Sequence, residues 1–237
     1  MLLLDRDRQI VMSIGRFRQL AAAHIQALHF SELKSSEMMY RALRRLVERK
    51  YLARIERRMV GGTGAGSGQY VYQLGREGWK LYGHERKYWP FRAVDYHTLG
   101  IADAYIELLQ REQSGSIEIL GYQTEPESWR TIGGADLRPD LFVDIGLPHK
   151  GERVKLWLEI DMGTERQSKI KEKLASYWHA YKNSTQEELP TFPRVIFLAP
   201  DDMRERELRY IIEHGPKDAQ KLFLVSTVAQ YGALLFG

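Results

Sequence analysis

The sequence predicts an α/β protein in two parts, a basic helical module ending in a β-hairpin and then a larger α/β domain with a mixed sheet. Three observations carry this. The charge is divided: residues 1–92 hold 18 Lys and Arg against 8 Asp and Glu, whereas residues 93–237 hold 17 against 23, so a net +10 precedes a net −6. Helical periodicity dominates the start of the chain and gives way at Ala53 to two short strand-like runs around a glycine stretch. Beyond residue 93, apolar runs typical of buried strands alternate with amphipathic segments.

The 237 residues are enough for one large domain or two smaller ones, with 43% hydrophobic and 28% charged residues, as in ordinary globular proteins. There is no cysteine, which excludes disulfide frameworks, cysteine zinc sites and thiol nucleophiles. Apolar runs fall short of a membrane span, and Met1-Leu2-Leu3-Leu4, stopped by Asp5, is too short for a signal segment. A cytoplasmic protein with no membrane partner is the expectation.

In the first part, Asp5 to Ile14 carries Ile10, Val11 and Ile14 and reads as a helix. Phe17 to Leu28, rich in Ala and Leu, reads as a second. Ser35-Ser36 supplies an N-cap for a third, running to about Lys50. Met39, Leu43, Leu46 and Val47 make its apolar stripe, and Arg41, Arg44 and Arg45 lie on the other face. Ala53–Met59 and Tyr70–Leu74 read as a hairpin, with Gly61–Gly68 as its tip. That tip matches neither G-x-G-x-x-G nor G-x-x-x-x-G-K-[ST], and it joins two strands, so it is not a phosphate loop.

Two supporting helices, a third helix and a hairpin wing are the order of a winged helix-turn-helix, whose third helix reads the major groove. Arginine bonds guanine bidentately or holds phosphates. The predicted DNA contacts are therefore Arg41, Arg44 and Arg45 on the helix and Arg54, Arg57 and Arg58 on the wing. Double-stranded DNA is the predicted partner of this basic module. Gly75–Tyr82 closes it as a short helix, and Gly83–Pro90 reads as a linker, giving domains at 1–85 and 92–237.

The second part reads as a helix (Val94–Gln113), strands near Ile117–Gln123, Leu141–Ile145 and Val154–Ile160, a helix from Thr164 to Tyr181, and a strand at Arg194–Ala199. A helix at Asp202–His214, a strand at Leu222–Val225 and a terminal helix at Val228–Leu235 follow. Carboxylates punctuate two of the apolar runs. Asp140 precedes Leu141-Phe142-Val143, and Glu159 and Asp161 follow Leu156-Trp157-Leu158. Side chains alternate along a strand, so Glu159 and Asp161 share a face that Asp140 joins if the runs pair. Three carboxylates there demand a divalent cation or a basic partner.

This helix–three strands–helix–strand order, with Arg138-Pro139-Asp140 and Glu159-Ile160-Asp161, resembles the core of the PD-(D/E)xK nucleases. Asp161 stands where those nucleases place lysine. Asp140, Glu159 and Asp161 are the candidate catalytic residues, and Asp140 and Glu159 the candidate metal ligands. The sequence makes no cofactor certain; Mg²⁺ is the one such carboxylates could hold. Arg138, or Lys169, Lys171 and Lys173 on the next helix, are the available counter-charges.

Over most of its length the chain also resembles the replication-relaxation family of plasmid, phage and conjugative-element proteins. The resemblance rests on the winged helix, His97-Thr98-Leu99, Arg138-Pro139-Asp140, and the string Glu159-Ile160-Asp161-Met162-Gly163-Thr164-Glu165. It implies DNA binding linked to plasmid replication and DNA relaxation during mobilisation, without an established catalytic activity. The expectation is a DNA-binding protein of a mobile element with an inactive nuclease-like domain that docks a replication or relaxase protein or a second copy of the chain. The alternatives are a Mg²⁺-dependent DNA endonuclease and a transcriptional repressor.

Overall fold

A computed structural model describes residues 3–58 and 69–236. The Gly61–Gly68 tip lies outside the described residues. The chain divides into two compact units, Met1–Ile106 and Glu107–Gly237.

The first unit opens with α1 (Asp5–Phe17). A short strand, β1 (Gln19–Ala21), precedes α2 (Ala22–His29). The sequence reads these as one helix from Phe17 to Leu28, and the structure corrects this. Arg18, at φ +63°, breaks the helix. Residues 19–21 then pair antiparallel with β3 (Gln69–Leu74), so tertiary pairing overrides the Ala-rich helix propensity. α3 (Glu37–Glu48) follows Ser36, and the Ser35 hydroxyl accepts the Glu37 N–H at 3.2 Å. β2 (Leu52–Arg58) pairs antiparallel with β3, giving the order β1-β3-β2. α4 (Arg76–Tyr82) comes next. Ile10, Val11, Ile14, Leu20, Ile25, Leu43, Leu46 and Val71 are almost wholly buried and form the interior.

Two buried glutamines hold the segment that follows α4. The Gln73 amide donates to the Phe91 carbonyl and accepts the Phe91 N–H, both at 2.8 Å. Gln19 does the same with the Ala93 carbonyl (3.1 Å) and the Asp95 N–H (2.8 Å). Asp95 in turn caps α5 (Tyr96–Gln113), accepting from the backbone of His97 and Thr98.

The second unit is built on a mixed five-stranded sheet. Its strands are β4 (Glu118–Thr124), β7 (Leu141–Leu147), β8 (Glu152–Ile160), β9 (Arg194–Ala199) and β10 (Phe223–Thr227), in the order β10-β9-β8-β7-β4. β4, β7 and β8 form an antiparallel meander, and β8, β9 and β10 run parallel. Parallel neighbours need crossovers, supplied by α6 (Gln167–Asn183) and then α7 (Asp202–Glu213) with the short α8 (Lys217–Gln220). Trp157, Val195, Phe197 and Phe223 of the sheet pack with Ile170 and Tyr177 of α6 and Leu208 and Ile211 of α7.

Two further elements complete this unit. A small hairpin, β5 (Arg130–Ile132) and β6 (Ala135–Leu137), is not legible in the sequence pattern. It turns on Gly133 and Gly134, both at positive φ, as a two-residue hairpin loop requires. The chain closes with α9 (Tyr231–Phe236).

Candidate functional sites

Asp140 and Glu159 face each other across neighbouring strands. The Asp140 N–H donates to the Leu158 carbonyl at 3.1 Å, which extends the β7–β8 ladder by one residue. Phe142 pairs with Trp157, so by alternation Asp140, Trp157, Glu159 and Asp161 lie on the face covered by α6 and α7. All three carboxylate residues are nearly inaccessible, at 6%, 3% and 5% exposure.

Each carboxylate has a partner. Asp140 Oδ2 accepts the Ile160 N–H at 2.6 Å. Glu159 Oε1 accepts from the Tyr177 hydroxyl at 2.5 Å, and its Oε2 accepts from Lys173 Nζ at 3.0 Å. Asp161 Oδ2 takes a forked pair of bonds from Arg204 Nε and Nη2 at 3.0 and 2.8 Å. Asp161 Oδ1 accepts the Gly163 N–H at 2.5 Å, across a turn in which Gly163 adopts φ +73°. A side chain there would be strained.

The electrostatics follow from burial and pairing. Burial, reinforced by the Asp140 charge, pushes the Glu159 carboxyl up to about 7 against the pull of Lys173 and Tyr177. Burial alone would lower Lys173, but Glu159, Glu165 and Asp140 more than offset it and the ammonium is held charged. Burial and Glu159 hold the Tyr177 hydroxyl protonated. Arg204 is likewise disfavoured by burial, yet its bonds to Asp161 and Glu207 raise its pKa.

Of the counter-charges named from the sequence, Lys173 is the one at the cluster. It also pairs with Glu165 at 3.1 Å. Lys169 pairs instead with Glu172, and Arg138 lies over the Trp129 ring, 5.0 Å from its centroid. Two residues at the cluster, Tyr177 and Arg204, are not named by the sequence reading. Of the two tyrosines on α6, Tyr177 is 2% exposed and Tyr181 48% exposed, a difference their spacing in the sequence does not reveal. Arg204 stands 43 residues from Asp161. A signal existed for Arg204: a cation in the first turn of a helix opposes the macrodipole and needs a local reason.

Glu159 and Asp161 do not fit a magnesium site as arranged. The oxygens of Glu159 and Asp161 are engaged by protein donors, whereas Mg²⁺ takes carboxylate oxygens together with its own waters.

In the first unit, a groove of about 350 Å³ runs between α3 and the hairpin, lined by Tyr40, Leu43, Arg44, Val47, Glu48, Arg54, Tyr70 and Tyr72. Arg44 is exposed and has no ion-pair partner among the described residues. Arg54 lies over the Tyr70 ring, 4.4 Å from its centroid. Arg41 is exposed and pairs with Glu37 one turn away, a contact of little energy. Arg45 differs. Its guanidinium holds Asp7 of α1 through Nε at 3.0 Å and Nη2 at 2.7 Å, and Asp7 is 2% exposed. Arg57 and Arg58 lie on β2, opposite Tyr70 and Gln69.

Together these features define a two-unit α/β protein with a cationic helix–hairpin groove in one unit and a buried, neutralised carboxylate cluster in the other. Residues 12–195 match the family model described as Replication-relaxation, and the chain belongs to that family. Membership ties it to replication and relaxation of mobile elements. No curated protein and no solved structure matches it. No helix among the described residues is long and apolar enough to cross a membrane.

Proposed function

We propose that the protein binds double-stranded DNA of a mobile genetic element through its first unit, acting in plasmid replication, relaxation or mobilisation. In this reading the nuclease-like second unit is a catalytically inactive scaffold for a replication or relaxase protein or a second copy of the chain. The carrying observation is the groove in which exposed Arg44 and Arg54 flank aromatic rings beside α3. α1, α2 and α3 followed by the β2–β3 hairpin support a winged helix within residues 1–85. Arg41 and Arg44 would reach base edges. Arg54, Arg57 and Arg58 would hold phosphates. Arg45, tied to Asp7, would chiefly fix α3 on α1 and so aim the reading face.

The β4-β7-β8-β9-β10 order, with β7 antiparallel to its neighbours and α6 between β8 and β9, supports the nuclease-like reading of residues 92–237. Inactivity is supported by the protein donors bound to both carboxylate oxygens of Glu159 and of Asp161. Arg204 also neutralises the position where a nuclease would carry lysine.

One observation favours the endonuclease instead. Lys173, 3.0 Å from Glu159, brings an ammonium to the cluster from the following helix. Supercoiled plasmid incubated with the protein and Mg²⁺ or Mn²⁺ separates the two readings. We expect a gel shift of duplex DNA and no nicking. Nicking that Asp140→Ala and Glu159→Ala abolish would establish the endonuclease, and absence of any duplex binding would remove the DNA-reading role.

A further inference from the structure

The second unit carries net negative charge, yet its cations are not evenly spread. β8, β9 and β10 are parallel neighbours, so their first residues gather at one pole of the sheet. Glu159 and Asp161 close β8 at the other pole, about 20 Å away from Arg153 at the usual rise per residue. At the first pole lies a pocket of about 360 Å³ lined by Arg153, Lys155, Arg194 and Lys221, with Tyr181, Phe192 and Asp218. That is four cations to one carboxylate. Arg153 is engaged, donating two bonds to Asp144 at 2.6 and 2.5 Å, and that pairing holds the Asp144 carboxyl below its usual range. The side chains of Lys155, Arg194 and Lys221 form no hydrogen bond or close ion pair among the described residues, though the Lys155 charge, opposite Asp144 on the neighbouring strand, also helps to hold that carboxyl low.

The pocket's other wall is aromatic. Tyr181 stacks on Trp178, with ring centroids 5.6 Å apart, and meets Phe192 at right angles at 5.3 Å, yet it remains 48% exposed. Three cations with no bonded carboxylate beside a half-exposed ring are the two elements by which proteins hold unpaired nucleic acid: charge tracks the phosphates and a ring stacks a base. A duplex offers such a ring nothing, because its bases are already stacked.

We propose that this pole of the second unit is a binding site for single-stranded nucleic acid. Lys155, Arg194 and Lys221 hold consecutive phosphates, and Tyr181 stacks one base. The choice of nucleic acid among polyanions rests on the DNA-binding reading given above; the choice of an anion does not.

The test uses the full chain and fluorescein-labelled oligothymidylate of about 20 nucleotides. Anisotropy titrations compare wild type with Lys155→Ala/Arg194→Ala/Lys221→Ala, all positions on the pocket rim. Wild type should bind. The triple variant should bind at least about tenfold more weakly, with a log–log salt slope shallower by about 2. Tyr181→Ala should cost roughly tenfold and Tyr181→Phe should restore binding. Duplex binding by the same variants should be unchanged. No binding by wild type, or a triple variant that binds as tightly as wild type, overturns the proposal. An abasic oligonucleotide bound as tightly as oligothymidylate overturns the stacking pocket and leaves a plain polyanion patch. An Arg41→Ala/Arg44→Ala variant that retains duplex binding counts against the reading of α3 alone, because the single-strand titration does not involve that helix.

Discussion

The carboxylate cluster of the second unit and the α3–hairpin groove of the first treat charge in opposite ways. Glu159 and Asp161 are buried, and their oxygens are used by Lys173, Tyr177, Gly163 and Arg204. Arg44 and Arg54 are exposed and hold no carboxylate among the described residues. A buried charge must be paired to persist, so pairing there reports on folding. An exposed cation that holds no carboxylate keeps its charge for a ligand. The residues most eye-catching in the sequence are thus the ones the fold consumes, and the plainer arginines remain available.

The largest expected effect tests the consumed side. Arg204→Ala leaves Asp161 buried without its counter-charge and should destabilise the protein by about 3–5 kcal/mol in urea unfolding. Arg44→Ala should change stability by no more than about 0.5 kcal/mol. Similar values for the two would erase the contrast. Asp161→Lys, which would restore the nuclease charge pattern in sequence, sets an ammonium against Arg204 and should destabilise at least as much as Arg204→Ala.

A second test follows from Glu159. Its carboxyl is raised from 4.5 to about 7, chiefly by burial and then by Asp140. Between those values the folded state holds a proton that the unfolded state has released, so stability falls as pH rises through the window. Wild type should lose up to about 3 kcal/mol relative to Glu159→Gln between pH 4.5 and 7 and stay level with it below that range. A difference that is constant with pH, or that moves in wild type's favour as pH rises, would show that Glu159 is ionised throughout.

The available side is sharpened by binding. Replacing Arg44 or Arg41 with alanine should cost about 1–3 kcal/mol at a cognate base pair if either reads it. Arg45→Ala should instead lower thermal stability, because Asp7 then loses its partner. Gel shifts and melting curves on the same proteins separate the two behaviours. The smallest effect belongs to the wing. Arg57→Ala/Arg58→Ala should weaken binding to all duplexes alike and reduce the salt slope by about 2. A changed sequence preference would mean that the wing reads bases.

Local signals made much of this legible. The strand–helix order of the second unit followed from apolar runs of strand length separated by amphipathic ones, and Glu159 and Asp161 on one face followed from the strand period. The short pieces were opaque. β1 is three residues of good helix former, and it is a strand because β3 offers a partner. The β5–β6 hairpin is too short to show a period. The cluster's partners were opaque for another reason. Tyr177 and Arg204 reach Glu159 and Asp161 from separate helices, and no spacing within one element encodes such a meeting. Lys173 stood among three lysines that one turn of helix could not distinguish.

The paired bonds from Gln19 and Gln73 bear on how portable the first unit is. A fragment stopped at residue 85 would keep both glutamines in the interior and discard Phe91, Ala93 and Asp95, the groups they bind. Each orphaned amide would cost about 1–3 kcal/mol, a large share of a small domain's stability. Anyone grafting this head onto another effector should therefore carry the chain past Asp95. The stretch that looks like a tether in sequence is, by its bonding, a strap belonging to the head.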